Sequence, residues 1–464
     1  MVKFCGLSLN LQANPRNDDG EFMKKATALV IFSDDFRAKD NPALFEACRN
    51  YEKVAAVYIY DENYQGRKIG SASKVFLHHV LNSFQEKLKK ACDLELALRS
   101  GNVIAELKKI TKEVKIDAIY FNKSYSKAQI ATEAKIAKEF SDLEVKSFKS
   151  KLLFDPEQIK TGGGGSFKVF TPFAKACMKK SDEIGDFLPI KKAKSCQKIK
   201  SLKIEELGLL PKNEGDWHEK LIKNWDFDYD KLYKRIADFL ENKVASYSDD
   251  RNMLAQDGNS RLSPYLRFGM VSPRVVFNAA TNYENHQQFV TQILWREFAY
   301  HNSYYYPEVS TKEIHEKYSA FKWEHDEKDF SAWKKSETGF DVVDAGMKEI
   351  YATGIMHNRA RMVVASFLIK HLLIDWRKGE QYFWDCLVDA DYAINPFSWQ
   401  WVFGSGFDAA PYFRVFNPEL QQKRFDPKHE YCDKWLGREK LRPEKIVDHV
   451  TRRDLVLAKY KEIM

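Results

Sequence analysis

Four short segments in the second half of the chain carry residue types that could do chemistry. The first is 259–263, where two hydroxyls, an amide and an arginine stand just before a helix-like stretch. Hydroxyls, backbone N–H groups and a helix start all donate to anion oxygens, so this segment suits a phosphate group. An ordinary helix cap beside a surface arginine would give the same pattern, and the segment alone does not decide between the two.

The second segment is 292–297, in which helical spacing places Gln292, Trp295 and Arg296 on neighbouring faces. A tryptophan beside an arginine can stack on a base while the arginine holds a phosphate. A buried tryptophan with an arginine that extends to solvent is the simpler alternative. This segment is therefore a candidate nucleotide contact only in combination with the others.

The third segment, 356–362, contains Arg359 and Arg361, and Asp389 and Asp391 follow about thirty residues later. Two arginines and two acids predict a buried ionic network, which is costly unless it builds a site. The competing reading is a metal site at the D-x-D pair. No histidine or further carboxylate stands near that pair at ligand spacing, so no metal is predicted.

The fourth candidate is a set of tryptophans. Eight of the ten tryptophans fall between Trp295 and Trp435. Because tryptophan is readily oxidised as well as bulky, Trp333, Trp376 and Trp399 could relay electrons to a buried cofactor. Core packing is the alternative for each tryptophan taken singly.

The elements that must position these residues follow from hydrophobic periodicity. Apolar runs at 28–32, 54–60 and 116–121 predict buried parallel strands, and helical spacing over 77–88 and 103–113 predicts helices between them. This alternation predicts an α/β domain with a doubly wound parallel sheet over 27–155. No G-x-G-x-x-G follows the first strand, so no dinucleotide is predicted there.

The rest of the chain has a different character. Residues 1–26 are predicted to be an N-terminal extension, and 156–235 lose periodicity and are predicted to be an interdomain linker. Helical periodicity then continues almost to the end, which predicts an all-α C-terminal domain over 236–464.

Composition narrows the class of protein. Lys and Arg number 74 against 66 Asp and Glu, a net charge of +8 that permits nucleic acid without demanding it. No stretch approaches the roughly 18 apolar residues of a membrane span, and no signal peptide is evident. The seven cysteines are scattered and form no C-x-x-C pair, which indicates reduced thiols. We expect a cytoplasmic monomer.

Taken together and in this order, the four segments resemble the DNA photolyase and cryptochrome family from about 247 to 435. Residues 37–44, with the sequence RAKDNPAL, resemble the family's motif after its first strand, and 168–173 resemble its linker motif. The resemblance covers nearly the whole chain after residue 25. It implies FAD bound non-covalently in the helical domain, damaged DNA as the partner, and light-driven repair.

The resemblance carries a set of flavin contacts onto this chain. It implies that Arg361 pairs with Asp389 and that Asn395 lies near flavin N5, where animal cryptochromes tend to have Cys and plant cryptochromes Asp. The implied FAD contacts are Tyr247, Asn259, Ser260, Arg261, Leu262, Ser263, Phe289, Arg296, Arg361, Asp389, Ala390, Asp391 and Asn395.

Contacts to DNA and to the lesion are implied in the same way. Photolyases flip their target out of the duplex, and an extruded dimer needs aromatic walls and a few amide donors. The implied electron relay runs from Trp399 nearest the flavin through Trp376 to Trp333 near the surface, while Gln292 and Asn358 act on the lesion. The full set of implied DNA contacts is Arg251, Gln292, Trp295, Asn358, Arg359, Met362, Trp401 and Gln421.

Two departures from the family pattern bear on the lesion. Dimer-repairing members usually have Glu at the position of Gln292, whereas (6-4) photolyases commonly have Gln. The histidine pair of (6-4) photolyases, however, matches Asn358 and Met362, so the proton transfer that (6-4) repair needs has no evident donor. We therefore predict cyclobutane pyrimidine dimer repair, with (6-4) repair as the alternative.

A cryptochrome-like blue-light photoreceptor and an inactive nucleic-acid-binding relative are further alternatives. Signalling members often append a long tail, and this chain continues for only about thirty residues after Trp435. A second, antenna chromophore, folate or deazaflavin, is expected to bind weakly if it binds, because the glutamate of folate-binding members falls at Gln129.

Overall fold

The computed structural model describes residues 25–196, 198–212, 215–409 and 413–464. An α/β part at the amino end packs against a helical part that forms the rest of the molecule. The predicted N-terminal extension lies outside the described residues except for its last two positions, which begin the first strand. None of the described helices is long and apolar enough to cross a membrane.

A parallel sheet forms the centre of the α/β part, with the strand order β3-β2-β1-β4-β5 and a short β6 that adds to β2. The three predicted strands are confirmed. The strands are β1 (Lys25–Phe32), β2 (Tyr51–Tyr60), β3 (Leu96–Ser100), β4 (Ala118–Asn122), β5 (Glu144–Phe148) and β6 (Lys194–Ser195).

Helices cover both faces of this sheet, because alternate residues of β1 belong to two different cores: Val30 and Phe32 face one, Leu29 and Ile31 the other. Both predicted helices are confirmed, and the one over 103–113 has the predicted bounds. The helices are α1 (Pro42–Asn50), α2 (Ser71–Cys92), α3 (Val103–Glu113) and α4 (Lys127–Glu139). The doubly wound class follows from this arrangement.

The segment predicted as a linker contains regular structure that the sequence did not indicate. Helix α5 (Phe170–Lys179) packs on a long helix of the helical part, and Phe170 stacks on Trp295 with ring centroids 3.8 Å apart. Further along, β6 pairs with β2 through Lys194 and Ser195. The domain boundaries themselves stay a prediction.

The remaining helices form the all-α part, and after Ser195 the described residues contain no strand. They are α6 (Trp217–Ile222), α7 (Tyr229–Asn242), α8 (Tyr247–Asp250), α9 (Ser263–Arg267), α10 (Pro273–Ala280), α11 (Gln287–Tyr305), α12 (Glu327–Lys335), α13 (Asp341–Thr353), α14 (Asn358–Lys370), α15 (Trp376–Cys386), α16 (Ile394–Phe403), α17 (Pro418–Phe425), α18 (Glu430–Leu436) and α19 (His449–Glu462).

The RAKDNPAL motif joins the two parts of the molecule. Arg37 is buried and donates to the backbone oxygens of Asp40 and Gly269. Asp40 has a left-handed backbone (φ 53°) and pairs with Arg274 at 2.5 Å. Because each of these buried charges has a partner across the interface, the motif fixes where α9 and α10 lie relative to the sheet.

The C-terminal helix α19 is held by a histidine pair. His371 is fully buried at the end of α14, and its Nε2 lies 2.8 Å from Nδ1 of His449, the first residue of α19. Arg452 donates to the backbone oxygen of His371 and pairs with Glu324 at 2.8 Å. Burial, His449 and Arg452 lower the pKa of His371 to about 3.

This pair makes the stability of the protein depend on pH. Below the ordinary histidine pKa the unfolded chain takes up a proton at position 371, while the folded protein does not until about pH 3. Relative to a His371→Gln variant, the wild type is expected to lose about 2 to 3 kcal/mol of unfolding free energy between pH 6.5 and 4.5. Denaturant unfolding across this range measures the difference, and a difference that stays constant with pH would contradict the assignment.

Candidate functional site

One ion pair joins two of the four candidate segments, the first and the third with its two acids. The Arg361 guanidinium, in the first turn of α14, donates to both oxygens of Asp389 at 3.0 and 2.9 Å. The Ser263 hydroxyl donates to the same carboxylate at 2.6 Å. The pair implied by the resemblance is therefore present, and it brings 259–263, 356–362 and 389–395 to one place.

The segment 259–263 has the shape of a loop rather than a simple helix start. Arg261 adopts a left-handed backbone (φ 54°), which turns the chain between Ser260 and the buried Leu262. The Asn259 side chain lies 3.0 Å from His357, the residue that caps α14. The hydroxyl of Ser263 thus stands at the Asp389–Arg361 pair, while the charge of Arg261 acts on His357 and Glu349.

His357 was not singled out by the sequence, yet it lies at the centre of this arrangement. Its Nδ1 accepts the Arg359 N–H at 3.1 Å, and its backbone N–H donates to Glu349 at 2.9 Å. Burial and the nearby Arg359 and Arg361 lower the pKa of His357 to about 4. The ring is therefore neutral at physiological pH, and both of its nitrogens are engaged.

Arg296 carries a buried donor without a protein partner. Its Nη1 donates to Glu297 at 2.9 Å, and its guanidinium lies 4.9 Å over the Tyr300 ring. Nη2 is buried and has no partner among the described residues. A buried unpaired guanidinium N–H is costly, which favours an anionic ligand at this position.

Asp391 is bonded within the protein, and its expected contact with the flavin stays a prediction. Its Oδ1 accepts the backbone N–H groups of Ala393 and Ile394 at 2.9 and 3.2 Å, in the turn that leads into α16, while the Tyr300 hydroxyl donates to Oδ2 at 2.5 Å. The carboxylate is thus already bonded within the protein. Its contribution to the site is to fix the loop that contains Asp389 and the buried Ala390.

Asn395 has a fixed orientation. Its Nδ2 donates to Glu380 twice, to the backbone oxygen at 3.0 Å and to Oε1 at 2.8 Å. No described residue donates to its Oδ1. The amide oxygen is therefore the group that Asn395 can offer to a ligand.

We refer to the side chains implied to meet DNA as the rim of the site. Arg251 donates to the Gln292 Oε1 at 2.8 Å, and the Gln292 Nε2 donates to the Gln288 backbone oxygen at 3.4 Å, which leaves one amide hydrogen of Gln292 for a further partner. Asn358 is exposed and lies one helical turn from Met362, whose sulfur is 4.0 Å from its amide nitrogen. The indole N–H of the half-buried Trp401 donates to the backbone of Asp408 at 3.0 Å.

Two further side chains show how this rim is built. Phe170 covers one face of Trp295, so only the other face can stack on a base. Gln421, on α17, has a buried Oε1 without a partner among the described residues. Tyr247 and Phe289 pack edge to face with centroids 5.5 Å apart and support the base of the rim.

The rim is more cationic than the sequence segments indicated. Arg359 donates to Asn252 at 2.8 Å and lies 4.3 Å over the Phe425 ring. Burial and the neighbouring Arg251, Arg414 and Arg424 lower the pKa of Arg359 to about 10. Four guanidinium groups that repel one another indicate a surface for a polyanion. Arg414 and Arg424 were missed because neither lies in a recognisable motif.

Comparisons with known proteins agree with this geometry. The family described as "DNA photolyase" matches residues 28–194, and "FAD binding domain of DNA photolyase" matches 289–462. A deoxyribodipyrimidine photo-lyase from Agrobacterium fabrum is 38% identical over 424 residues, which are 89% of this chain and 88% of that protein. The chain belongs to the photolyase and cryptochrome family. An Escherichia coli photo-lyase is 30% identical over 91% of each chain.

Solved photolyase structures share the whole architecture. A class III photolyase from Agrobacterium tumefaciens superposes with a TM-score of 0.89 at 35% identity, covering 96% of this chain and 99% of that one. An archaeal photolyase from Sulfolobus tokodaii, solved with two FAD molecules, gives a TM-score of 0.80 at 29% identity, covering 94% and 100%. The protein is accordingly a photolyase-type enzyme with a helical FAD-binding domain.

The residues present suit FAD. The Arg296 Nη2, which has no partner among the described residues, offers a donor to an anion, as a pyrophosphate requires, and the guanidinium of Arg261 adds donors from the loop. The Asn395 amide oxygen offers an acceptor to a ring N–H. Phosphate donors and a ring acceptor in one photolyase-type site are what a flavin dinucleotide needs, although which side chains touch it stays a prediction.

The structure corrects one part of the expected electron relay. Trp333 is fully buried and donates to the Val364 backbone at 3.2 Å, so it is not near the surface. The reason is that α12 turns this face inward against α14. Trp376 and Trp399 are also buried. Trp323, by contrast, is partly exposed and packs on Phe403 with centroids 4.9 Å apart.

Close packing brings Trp399 against the helix that begins with Trp376. A Cβ at Gly379, in α15, would lie 2.2 Å from the Trp399 ring, so only glycine permits this approach. Phe383 of the same helix contacts Trp399 at 5.0 Å and Trp333 at 6.1 Å between centroids. Trp399 thus lies between two other tryptophans: it packs on the helix of Trp376, and Phe383 separates it from Trp333.

A pocket open to solvent lies at the carboxyl ends of β1, β2 and β4. Ligands of open α/β sheets bind at this edge. Asp34, Tyr64, Arg67 and Glu133 are among its lining residues, and burial raises the pKa of Glu133 to about 7. Gln129 is buried one turn before Glu133 and does not line the cavity, although both of its amide atoms lack a partner in the described structure. An antenna chromophore here stays a prediction.

Proposed function

We propose that this protein repairs cyclobutane pyrimidine dimers in DNA under light. Bound FAD would supply the light absorption and the electron that opens the cyclobutane ring. The chain's own residues would hold the flavin, receive the flipped lesion and exclude water. The observation that favours this lesion over the (6-4) product is the absence of an available imidazole at the rim.

The rim of the site offers amides and a thioether where (6-4) repair needs a proton donor. Asn358 and Met362 occupy the two positions that match the histidine pair of (6-4) photolyases, and neither side chain titrates near neutral pH. His357 is next to them in sequence, but its pKa of about 4 and its two engaged ring nitrogens leave it neutral and occupied. Nothing in this set can donate a proton to a lesion at pH 7.

The residues of the rim have separate roles in this proposal. Arg251 orients Gln292 so that its remaining amide hydrogen can donate to a base carbonyl. The free face of Trp295 and the half-buried Trp401 would wall the flipped dimer. Asn395 would present its Oδ1 to the flavin.

A direct experiment tests the proposal as a whole. Purified protein, reconstituted with FAD and chemically reduced without oxygen, is mixed with DNA containing one cyclobutane dimer and either illuminated or kept dark. We expect dimers to disappear only in the light. A cryptochrome-like photoreceptor would bind FAD yet leave the dimers intact, and an inactive relative would bind DNA without either property.

The arginine rim predicts a particular salt dependence of DNA binding. Arg251→Met and Arg359→Met should each lower the slope of log affinity against log salt by about 1, because each removes about one phosphate contact. Lys138→Met, an exposed cation on α4, serves as the matched charge control and should leave the slope unchanged. If both rim variants had the same salt-dependence slope as the wild type, DNA would bind to another surface of the protein.

We expect two substitutions of Gln292 to differ in their effect on dimer binding and repair. Gln292→Glu should retain dimer repair, because it restores the group usual in dimer-repairing members and keeps a partner for Arg251. Gln292→Met removes the hydrogen bond to the base and should lower lesion affinity about tenfold, the value of one hydrogen bond. Measurements of dimer affinity and repair yield check both variants. Equal losses in the two variants would show that Gln292 does not contact the lesion.

A further inference from the structure

The structure places an arginine of the α/β part behind the flavin site. Arg67 lies in the loop between β2 and α2, and its guanidinium sits 3.8 Å over the Trp384 ring. It pairs with Glu380 of α15 through two hydrogen bonds, 2.8 Å to Oε1 and 3.3 Å to Oε2. The indole N–H of Trp384 in turn donates to the backbone of Lys68 at 2.8 Å, which fastens the loop to α15.

Glu380 connects this arginine to Asn395. The Glu380 side chain is only 5% exposed, and its Oε1 accepts from both Arg67 and the Asn395 Nδ2, each at 2.8 Å. An ionised carboxylate accepts hydrogen bonds only, so the Asn395 amide must turn its nitrogen toward Glu380 and its oxygen away. The backbone oxygen of Glu380 accepts from the same nitrogen at 3.0 Å, so backbone and side chain of Glu380 together direct the amide oxygen toward the ligand.

The pair with Arg67 holds the Glu380 side chain in place. Two hydrogen bonds from the guanidinium fix the carboxylate, so that its Oε1 stays within reach of the Asn395 amide nitrogen. Without Arg67 the carboxylate would be free to turn away, and the Asn395 amide would keep only its bond to the Glu380 backbone oxygen.

We propose that Arg67 is a positioning residue for the flavin, which acts through Glu380 to keep the Asn395 amide oxygen directed at the cofactor. This inference rests on the proposed function, since the position of Asn395 near flavin N5 is itself proposed. Reduced flavin carries a hydrogen on N5, and an amide oxygen accepts that hydrogen whereas an amide nitrogen does not. Arg67 would thereby stabilise the reduced form that repair requires.

The test is the midpoint potential of bound FAD, followed by absorbance during reductive titration of the full chain. Arg67→Met should make reduction about tenfold less favourable, the loss of one hydrogen bond, which for a two-electron couple is about 30 mV toward negative values. Arg67→Lys keeps the charge beside Glu380 and should retain most of the wild-type potential. Lys68→Met removes a neighbouring charge that contacts only Glu62 and should have no effect.

A double-mutant cycle separates positioning from a direct effect of the charge. In an Asn395→Ala background the oxygen is already gone, so Arg67→Met should cause no further shift. An unchanged potential in Arg67→Met, or the same shift in both backgrounds, would overturn the inference while the proposed function stands. If the wild type did not bind FAD at all, the result would instead contradict the proposed function.

Discussion

Replacing Asp389 by Ala should release the flavin. The Asp389–Arg361 pair joins the three segments that surround the proposed phosphate and ring contacts. Removing the carboxylate leaves a half-buried guanidinium unpaired and frees the Ser263 hydroxyl. We expect the dissociation constant of FAD to rise about 100-fold, the equivalent of about 3 kcal/mol.

The measurement is the release of FAD fluorescence on dilution, with far-UV circular dichroism to check folding. Asp341→Ala is the matched control, because Asp341 pairs with Arg442 at 3.3 Å and that arginine has the same side-chain exposure as Arg361, 26%. This control should retain FAD. Wild-type retention in Asp389→Ala would show that the pair is only structural.

The second large effect concerns Trp399. Trp399 contacts the helix of Trp376 at Gly379 and also the Phe383 ring. Since the family resemblance implies that Trp399 is nearest the flavin, we expect a route from the surface through these rings to pass through it. Trp399→Phe should nearly abolish photoreduction of oxidised flavin, since phenylalanine is far harder to oxidise. Dimer repair by chemically reduced protein should remain close to wild type, because the relay only restores the reduced cofactor.

Two further variants locate the outer end of the relay. A partly exposed Trp323 can be re-reduced by an external donor, whereas the fully buried Trp333 cannot exchange electrons with one directly. Trp323→Phe should therefore slow photoreduction more than Trp333→Phe. Trp225→Phe, whose indole donates to Thr353 away from this cluster, is the control and should photoreduce normally. A slower photoreduction in Trp333→Phe than in Trp323→Phe would indicate that the relay runs through Trp333, on the side of Trp399 that Phe383 covers.

The sequence predicted the parts of the fold in which a whole face is apolar. The runs at 28–32 and 54–60 are buried on both sides of the sheet, and the helix over 103–113 has a polar cap at Asn102 and a regular apolar face. Strand β5 was missed because it lies at the edge of the sheet and most of its residues are polar. Helix α5 was missed because its core contacts come from a partner far along the chain, such as Trp295.

The candidate site likewise contains residues that the sequence predicted and residues that it did not. Residues within short motifs, such as Arg361 and Asp389, were recognisable because two arginines and two acids predict an ionic network and because the family resemblance implies this pair. Glu380 and Arg67 belong to no motif, and their contact joins positions more than 300 residues apart. The burial of Trp333 was likewise invisible, because which face of α12 turns inward depends on α14. Local spacing thus predicts a site's direct contacts better than the residues that support them.

The most direct test of the central claim is the repair quantum yield of chemically reduced protein on two DNA substrates, one with a single cyclobutane dimer and one with a single (6-4) product. The account predicts light-dependent repair of the cyclobutane dimer and none of the (6-4) product, because the rim has no imidazole able to donate a proton. Repair of the (6-4) product with none of the cyclobutane dimer would contradict the proposed substrate.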